Sequence, residues 1–413
     1  MNHIYTYKFR LKPTEDQKIL LAKHFGCCRY VYNYFLDKRI KKYKKTKKGS
    51  TYCKDSEQLP ALKKKLPWLK EVSAQSVQHA VRNLDTAYKN FFKRIAQGST
   101  KKGFPKFKSK NKKDSFRITQ NVIVKENKVI IRKFLEGIEY IPDPRNVEGT
   151  IKFATITKNK AEQYFVSIST SIDIQPLPEM DTAIGLDMNK KDIVDSNGNH
   201  YINPCPAKKH RKQMRILQKA LDRTKKGTKN KPESNGRKEA RIKLAKLHLH
   251  IHNVREDYLH KLSKKLVDEN QVICIEDLSV KSMLKNVPIE KRKQYRSEEK
   301  RHHQEISDAG WRSLRTKLEY KSEWYGRNLV AIDRYYPSSQ ICSHCRWQYK
   351  DLPNNCKEWC CWNCFEWNNR DENAATNIVN EGLYVFLGTE NQAACPDVRP
   401  AFSGLYVGAE THL

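Results

Sequence analysis

The sequence predicts a multidomain α+β chain. A small β-barrel is interrupted by a helical bundle, and a second part follows in which buried strands alternate with helices and a zinc ribbon is inserted. Three observations lead there. An alternating N-terminal strand gives way to long helical patterns and then to further short strands. A different composition begins near Met180, where apolar strands end in acids. Four cysteines, Cys342, Cys345, Cys361 and Cys364, form two Cys-x-x-Cys arms separated by 15 residues (346 to 360), the spacing of a zinc ribbon.

The strand Ile4 to Leu11 is stopped by Pro13, and Thr14 with Gln17 forms a capping box for a long helix through Leu20, Phe25, Val31, Phe35 and Ile40. That helix runs out in the lysine-rich 41–48 stretch. A second helix is expected over Ser73 to Ala96, where Val77, Val81, Leu84, Tyr88, Phe91 and Phe92 recur at helical spacing and Gly98 ends the pattern. The loop from Gly103 to Lys110 interleaves Phe104 and Phe107 with lysines, Lys106 among them. These rings suit either stacking on bases or anchoring the loop to the barrel. Strand-like runs follow at 122–124, 129–131, 151–156 and 164–171.

In the second part, Ala183 to Asp187 reads as a short buried strand. Residues 192–202 read as a hairpin turning on Asn197-Gly198. Residues 207–236 read as a basic connection, and a long helix follows with Leu244, Leu247, Ile251, Val254, Tyr258, Leu262 and Leu266 on one stripe. Val272 to Glu276 is another buried strand. Residues 281–303 read as a charged, mobile surface segment, before a helix from Trp311 to Trp324 and a strand over 329–332.

Composition bounds the partners. Of 413 residues, 80 are Lys or Arg and 46 are Asp or Glu, a formal charge of +34 that a polyanion such as nucleic acid would balance. A hydrophobic fraction of 38% supports packed cores and argues against wholesale disorder. No run of 18 apolar residues and no signal-peptide core are present, which places the chain in the cytoplasm with the nucleoid, or in the nucleus of a eukaryotic host. The other eight of the twelve cysteines follow no framework, in keeping with a reducing compartment and one zinc ion.

The candidate chemistry lies in Asp187, Glu276 and Asp371, which are 89 and 95 residues apart. Two end apolar strands, and the third begins a helix just beyond the cysteines. Gathered at a sheet rim they would repel one another, and divalent cations relieve such repulsion. Mg²⁺ suits oxygen donors, and a pair of such ions can activate water and stabilise a leaving oxygen at a phosphodiester. His248, His250 and His252 lack the Glu of an H-E-x-x-H motif and read as structural or phosphate-facing.

Ordered motifs complete the picture: the segments 7–13 and 25–33, Gly103-Phe104-Pro105-Lys106-Phe107, Ile275-Glu276-Asp277-Leu278, Ser307-Asp308-Ala309-Gly310-Trp311, Pro337-Ser338-Ser339-Gln340, and the cysteine pairs followed by Arg370-Asp371-Glu372-Asn373-Ala374-Ala375. From residue 4 to about 400 the chain resembles the TnpB family, transposon-associated RNA-guided nucleases related to type V CRISPR effectors. The resemblance implies a wedge β-barrel (1–13 and 99–180) with an inserted helical recognition domain (14–98). An RNase H-like RuvC domain follows (181–341 and 366–395) with a zinc-ribbon insertion (342–365), then a flexible C-terminal tail (396–413).

The resemblance further implies a catalytic triad of Asp187, Glu276 and Asp371 holding two Mg²⁺ ions, with Mn²⁺ an alternative, and one structural Zn²⁺ on the cysteines. Its partners would be a guide RNA from the transposon end and double-stranded target DNA. No membrane or small-molecule substrate is implied, and the chain is expected to be monomeric with its RNA. Tyr52, Ser56, Gln78, Gln120 and Asn121 fall where the family reads a short target-adjacent motif. Arg346 and Phe365 depart from the glycine that commonly follows each cysteine pair, Met188-Asn189 from the usual small turn, and Asn368-Asn369 from a His-Asp pair. Two other activities share these features: a nuclease-inactive RNA-guided DNA-binding protein, which a lost acid would favour, and a DDE-type transposase, whose acidic series ends in Glu.

Overall fold

A computed structural model describes residues 2–110, 114–224, 227, 233–284, 292–353 and 355–393. The chain divides at Asp173 into two compact units. In the first, β1 (Asn2–Leu11) alternates Tyr7, Phe9 and Leu11 into a core and leads to α1 (Glu15–Thr46). The Thr14 hydroxyl accepts from the Gln17 amide and the Gln17 side chain returns the bond, the reciprocal cap expected from the sequence. Short helices α2 (Tyr52–Ser56) and α3 (Leu59–Lys65) precede α4 (Ala74–Ala96), which buries Val77, Ala80, Val81 and Leu84.

Six strands complete the described part of this unit: β2 (Asp114–Ile118), β3 (Ile123–Lys125), β4 (Lys128–Ile131), β5 (Phe134–Glu139), β6 (Thr150–Lys158) and β7 (Tyr164–Asp173). They form an antiparallel sheet in the order β1-β7-β6-β2 and a three-stranded meander, β3-β4-β5. A bridge between Leu11 and Tyr140 links the two, with the Lys12 amide donating to Glu139 and the Ile141 amide to Arg10. Sequence pattern does not pick out β2 (DSFRI) or β5 (FLEGIE). Each mixes polar residues with only two or three apolar ones, and β5 holds a glycine as well, so only cross-strand pairing defines them.

In the second unit β8 (Ala183–Met188), β9 (Asp192–Asp195) and β10 (His200–Ile202) form an antiparallel series. Gly198 takes φ 79° in the turn before β10. Helices α5 (Pro206–Lys209), α6 (Arg211–Asp222) and α7 (Asn235–Glu269) lead to β11 (Val272–Glu276). After α8 (Val280–Met283), α9 (Arg292–Ala309) and α10 (Trp311–Tyr325) comes β12 (Asn328–Ile332). The sheet order is β10-β9-β8-β11-β12, with β11 parallel to both of its neighbours. The second cysteine arm lies in a hairpin of β13 (Glu358–Cys360) and β14 (Trp367–Asn369), and α11 (Arg370–Ala393) follows directly.

One expectation needs correction here. The 207–236 connection contains α5 and α6, and α6 buries none of its residues, so its Lys and Arg act as solvated helix formers. The segment 281–303 contains most of α8 and the first part of α9, whose later residues Ile306, Asp308 and Ala309 are buried. Residues 285–291, Cys395 and the tail 396–413 lie outside the described residues.

Strand parity sets the layers. Ile184, Leu186 and Met188 of β8 and Ile273 and Ile275 of β11 pack with Leu259, Leu262, Leu314 and Leu318 of α7 and α10. Val272 and Cys274 face the other way, with Ile378 of α11. Helix α11 sits very close on that second face. A Cβ on Gly185 would lie 2.2 Å from the Ala375 carbonyl oxygen, and one on Gly382 would lie 2.3 Å from Cys274 Sγ. Any larger residue at either position would push the helix off the sheet. No described helix is long and apolar enough to cross a membrane.

Candidate active site and metal centre

Period-two alternation carries the acids to one face. With Leu186 and Ile275 turned toward α7 and α10, the next residues, Asp187 and Glu276, turn toward α11. The parallel register pairs Ile275 with Leu186, which puts Glu276 beside Asp187 at the carboxyl ends of adjacent strands. Helix α11 brings the third acid. The Asn369 side chain accepts from the Asp371 and Glu372 amides, capping the helix one residue before it starts and holding Asp371 in its first turn.

The three acids interact. Burial pushes the Asp187 carboxyl up to about 7, and the charges of Glu276 and Asp371 add to the rise; donation from Asn189 and the Lys357 charge oppose it. Burial also raises Glu276, against a hydrogen bond from Ser338. Asn189 Nδ2 donates to Asp187 Oδ2 at 2.9 Å, Ser338 Oγ to Glu276 Oε1 at 2.9 Å, and Lys357 Nζ lies 2.6 Å from Asp371 Oδ2. Each acid therefore has one dedicated partner. None of these partners is legible as such in the sequence: Asn189 reads as a turn departure, Ser338 lies in a noted motif without a role, and Lys357 carries no signal. Nor does Asn189 take the left-handed conformation that its turn position suggests; it is the side chain that has a role.

Neighbouring groups frame the cluster. A cleft of about 310 Å³ opens beside Glu276, lined by Met188, Asp277, Trp311, Arg312, Arg315 and Thr316 among others. Trp311 Nε1 donates to the Asn189 carbonyl, tying α10 to the turn after β8. Asp308, in the noted Ser307–Trp311 motif, accepts from the Ala207 and Lys208 amides at 3.0 Å each and so holds the start of α5.

The cysteine quartet is compact. Cys342 and Cys364 sulfurs are 3.7 Å apart and those of Cys345 and Cys361 are 3.5 Å apart. A tetrahedron with Zn–S bonds of about 2.3 Å has edges near that length. Among the described residues only these four bring three or more ligand atoms within 4.8 Å of one another. Thiolate donors, the tetrahedral spacing and the Asn368 amide 3.7 Å from Cys342 Sγ fit structural zinc. Cys356 and Cys360 stand outside the quartet, each directed at a carbonyl.

Both arms have the same backbone design. Arg346 donates to the Cys342 carbonyl and Phe365 to the Cys361 carbonyl, while Cys342 and Cys361 donate to Trp347 and Glu366. Arg346 and Phe365 take φ 65° and 62°, the left-handed geometry that glycine normally supplies. The knuckle shape is therefore kept without glycine. Buried Asn373 and Asn377 of α11 clamp the first arm, donating to the carbonyls of Ser338 and Ile341, while Asn373 Oδ1 accepts from Ser343.

An all-oxygen donor set with two desolvated members suits a hard divalent cation such as Mg²⁺. His248, His250 and His252 lie on α7 and join no ligand group among the described residues.

In the first unit, Tyr52 lies under the Arg82 guanidinium and Ser56 is half-buried, whereas Lys106 and Gln120 are exposed. Gln78 is exposed on α4, and Asn121 is exposed with φ 56°. Phe104 meets Tyr88 and Phe91 edge-on, so its loop is anchored to α4, and the ring is 46% exposed.

Comparison with known proteins follows the same division. Residues 1–48 match a family model described as a helix-turn-helix domain, although the structure there is a strand followed by one long helix. Residues 163–287 match one described as a probable transposase, and residues 311–378 match the Cas12f1-like TNB domain. A Streptomyces pristinaespiralis protein, provisionally named RNA-guided DNA endonuclease, is 36% identical over 403 residues, 95% of this chain and 92% of that protein. The Escherichia coli protein provisionally named RNA-guided DNA endonuclease InsQ is 29% identical across 92% of this chain and 93% of its own. Among solved structures, a Cas12f1–sgRNA–target DNA complex aligns with 92% of this chain and 99% of its own, at 14% identity and TM-score 0.46.

Proposed function

The chain belongs to the TnpB family of RNA-guided DNA endonucleases, and from that premise we propose that Asp187, Glu276 and Asp371 are its catalytic centre. The substrate is double-stranded DNA selected by pairing with a guide RNA from the transposon end, next to a short motif. The observation that carries this reading is the gathering of two carboxylates at adjacent strand ends with a third from the first turn of α11, Asp187 being raised to about 7 by burial and by its two acidic neighbours.

In this reading the second unit is the nuclease. Its antiparallel series followed by parallel β11 and β12 is the strand arrangement of an RNase H-like domain, and the zinc ribbon is an insertion before its last helix. The two sheets of the first unit form the wedge, and the helices within 14–98 form the recognition domain. Tyr52, Ser56, Gln78, Gln120 and Asn121 read the adjacent motif, and Phe104 and Lys106 contact nucleic acid. The chain acts as a monomer with its RNA.

The three acids would hold Mg²⁺, which supplies a nucleophilic water near neutral pH and neutralises charge on the leaving oxygen. Mn²⁺ has the same oxygen preference. The protein's own part is orientation. Asn189 fixes one oxygen of Asp187, Ser338 fixes one of Glu276, and Lys357 brings positive charge to Asp371. Arg312 and Arg315 in the cleft beside Glu276 suit the phosphates of a single strand entering from that side.

The Asp187→Ala variant tests the assignment. Guided DNA binding should stay within about twofold of wild type, while Mg²⁺-dependent cutting falls by at least about a thousandfold, ~4 kcal/mol of barrier. Retained cutting, or loss of binding as well, would refute it. The integrity of all three acids separates this reading from a nuclease-inactive binding protein.

A further inference from the structure

Helix α11 carries two buried amides one turn apart, on a different side from the one that meets the sheet. Asn373 is 4% exposed and Asn377 is fully buried, while Ala375 and Ile378 lie toward β8 and β11. Both amide groups donate to the same two carbonyls. Asn377 Nδ2 lies 2.9 Å from the Ser338 oxygen and 2.6 Å from that of Ile341, and Asn373 Nδ2 lies 2.7 Å from Ile341 and 3.5 Å from Ser338. Their oxygens are used as well: Asn373 Oδ1 accepts from the Ser343 amide and Asn377 Oδ1 from the Arg346 guanidinium. Buried amides are costly unless hydrogen-bonded, and these two direct their donors at one short segment, 338–341.

That segment is tied at both ends. Its first residue, Ser338, is buried, and its hydroxyl donates to Glu276 Oε1 at 2.9 Å. Its last, Ile341, precedes Cys342, whose sulfur belongs to the quartet. The middle is joined to the same helix, because the Arg370 guanidinium lies 3.3 Å from Ser339 Oγ. Helix α11 therefore governs two acids. It carries Asp371 in its own first turn, and through Asn373, Asn377 and Ser338 it holds Glu276 of β11.

We propose that Ser338, Asn373 and Asn377 are positioning residues that form a strut holding Glu276 at a set distance from Asp371, and that this rigidity makes the acid cluster select Mg²⁺ over Ca²⁺. The proposal rests on the catalytic reading of the three acids. Mg²⁺ demands near-ideal octahedral geometry with oxygens at about 2.0–2.1 Å, whereas Ca²⁺ accepts about 2.3–2.6 Å and irregular shells. Carboxylates that cannot relax favour the smaller ion, so loosening one of them weakens Mg²⁺ binding more than Ca²⁺ binding.

The test is calorimetric titration of the zinc-loaded full chain with Mg²⁺ alone and with Ca²⁺ alone, without RNA, so that no phosphate competes for the ion. Ser338→Ala cuts the strut at Glu276, and Asn377→Leu cuts it at the helix. Each should weaken Mg²⁺ binding by about tenfold or more, the usual loss when a residue that hydrogen-bonds a metal ligand is removed. Ca²⁺ binding should weaken less, so the ratio of the two affinities falls. The double variant should lose no more than the larger single loss, because both changes act along one path. Ser338→Thr keeps the hydroxyl and should keep the wild-type ratio. Zinc content should stay at the wild-type value in every variant, and the Mg²⁺ needed for half-maximal guided cutting should rise in step with weaker binding. Equal losses for both ions, or unchanged Mg²⁺ binding in Ser338→Ala, overturn the strut. So does a lower thermal midpoint in Asn377→Leu with Mg²⁺ affinity intact, the mark of a clamp that only stabilises. If Asp187→Ala binds Mg²⁺ as tightly as wild type, the acids are not the divalent site and the catalytic reading fails with the strut. If Asp187→Ala loses Mg²⁺ while Ser338→Ala keeps the wild-type ratio, the strut alone fails.

Discussion

The Lys357 ammonium lies 2.6 Å from Asp371 Oδ2, so the cysteine-ribbon hairpin reaches into the acid cluster through one side chain. The backbone reinforces this. The Arg370 amide donates to the Lys357 carbonyl at 2.8 Å, and Glu358 pairs with Asn369 in the hairpin. The ribbon and the first turn of α11 are therefore one hydrogen-bonded piece, and the ribbon's folding bears on the acids.

Lys357→Ala removes a charge that helps Asp187 stay ionised and the partner that holds Asp371 Oδ2. DNA cutting at neutral pH and limiting Mg²⁺ should fall about tenfold, ~1.4 kcal/mol of barrier, and the acid limb of the pH–rate profile should move upward. Guided DNA binding should not change. Single-turnover cleavage across pH measures both effects.

Asp187 also makes stability depend on pH. Its carboxyl titrates near 7 in the fold against 3.8 in an exposed chain. Between those values the folded chain holds a proton that the unfolded chain has lost, so stability from this group is full below 3.8 and is lost as pH rises through about 7. Thermal midpoints without divalent cation should therefore fall from about pH 5 to about pH 8 more steeply in wild type than in Asp187→Asn, and added Mg²⁺ should cancel the difference at the upper end.

Cys361→Ser removes one of four thiolates whose sulfurs share a tetrahedral site. Zinc measured by atomic emission should drop well below one ion per chain, and cutting should fall with it because Lys357 loses its fixed position. Full zinc occupancy in this variant would refute the ribbon assignment.

Phe365 holds a left-handed backbone and is 77% exposed. Phe365→Gly should preserve zinc content and leave stability equal to wild type or higher by up to ~1 kcal/mol, whereas the β-branched Phe365→Val should be lower by ~1 kcal/mol or more. Chemical denaturation with zinc present distinguishes the two.

Legibility in the sequence followed how local each signal was. The capping box at Thr14 and Gln17, the apolar stripe of α4, the Asn197-Gly198 turn and the cysteine arms all depend on neighbours within a few residues, and each stands in the structure. Strands β2 and β5 escape a reading by pattern because their residues alternate poorly, and β2's partner β6 is also distant in sequence. Helix α6 reads as part of a connection because its density of Lys and Arg outweighs an otherwise clear apolar stripe, and α9 reads as a charged segment because few apolar residues mark its period.

The sequence alone determined which residues could carry chemistry: three acids at the ends of elements, four cysteines at metal spacing, and a strong excess of positive charge. Their grouping was decided by the tertiary structure. Strand parity turned Asp187 and Glu276 to one face, parallel register set them side by side, and Gly185 and Gly382 let α11 close on that face carrying Asp371. Three-dimensional packing also chose Asn189, Ser338 and Lys357 as partners, since a single polar side chain has no periodicity to announce it. A carboxylate's role depends on what desolvates it and which charges stand within a few ångströms, and those distances exist only once the chain has folded.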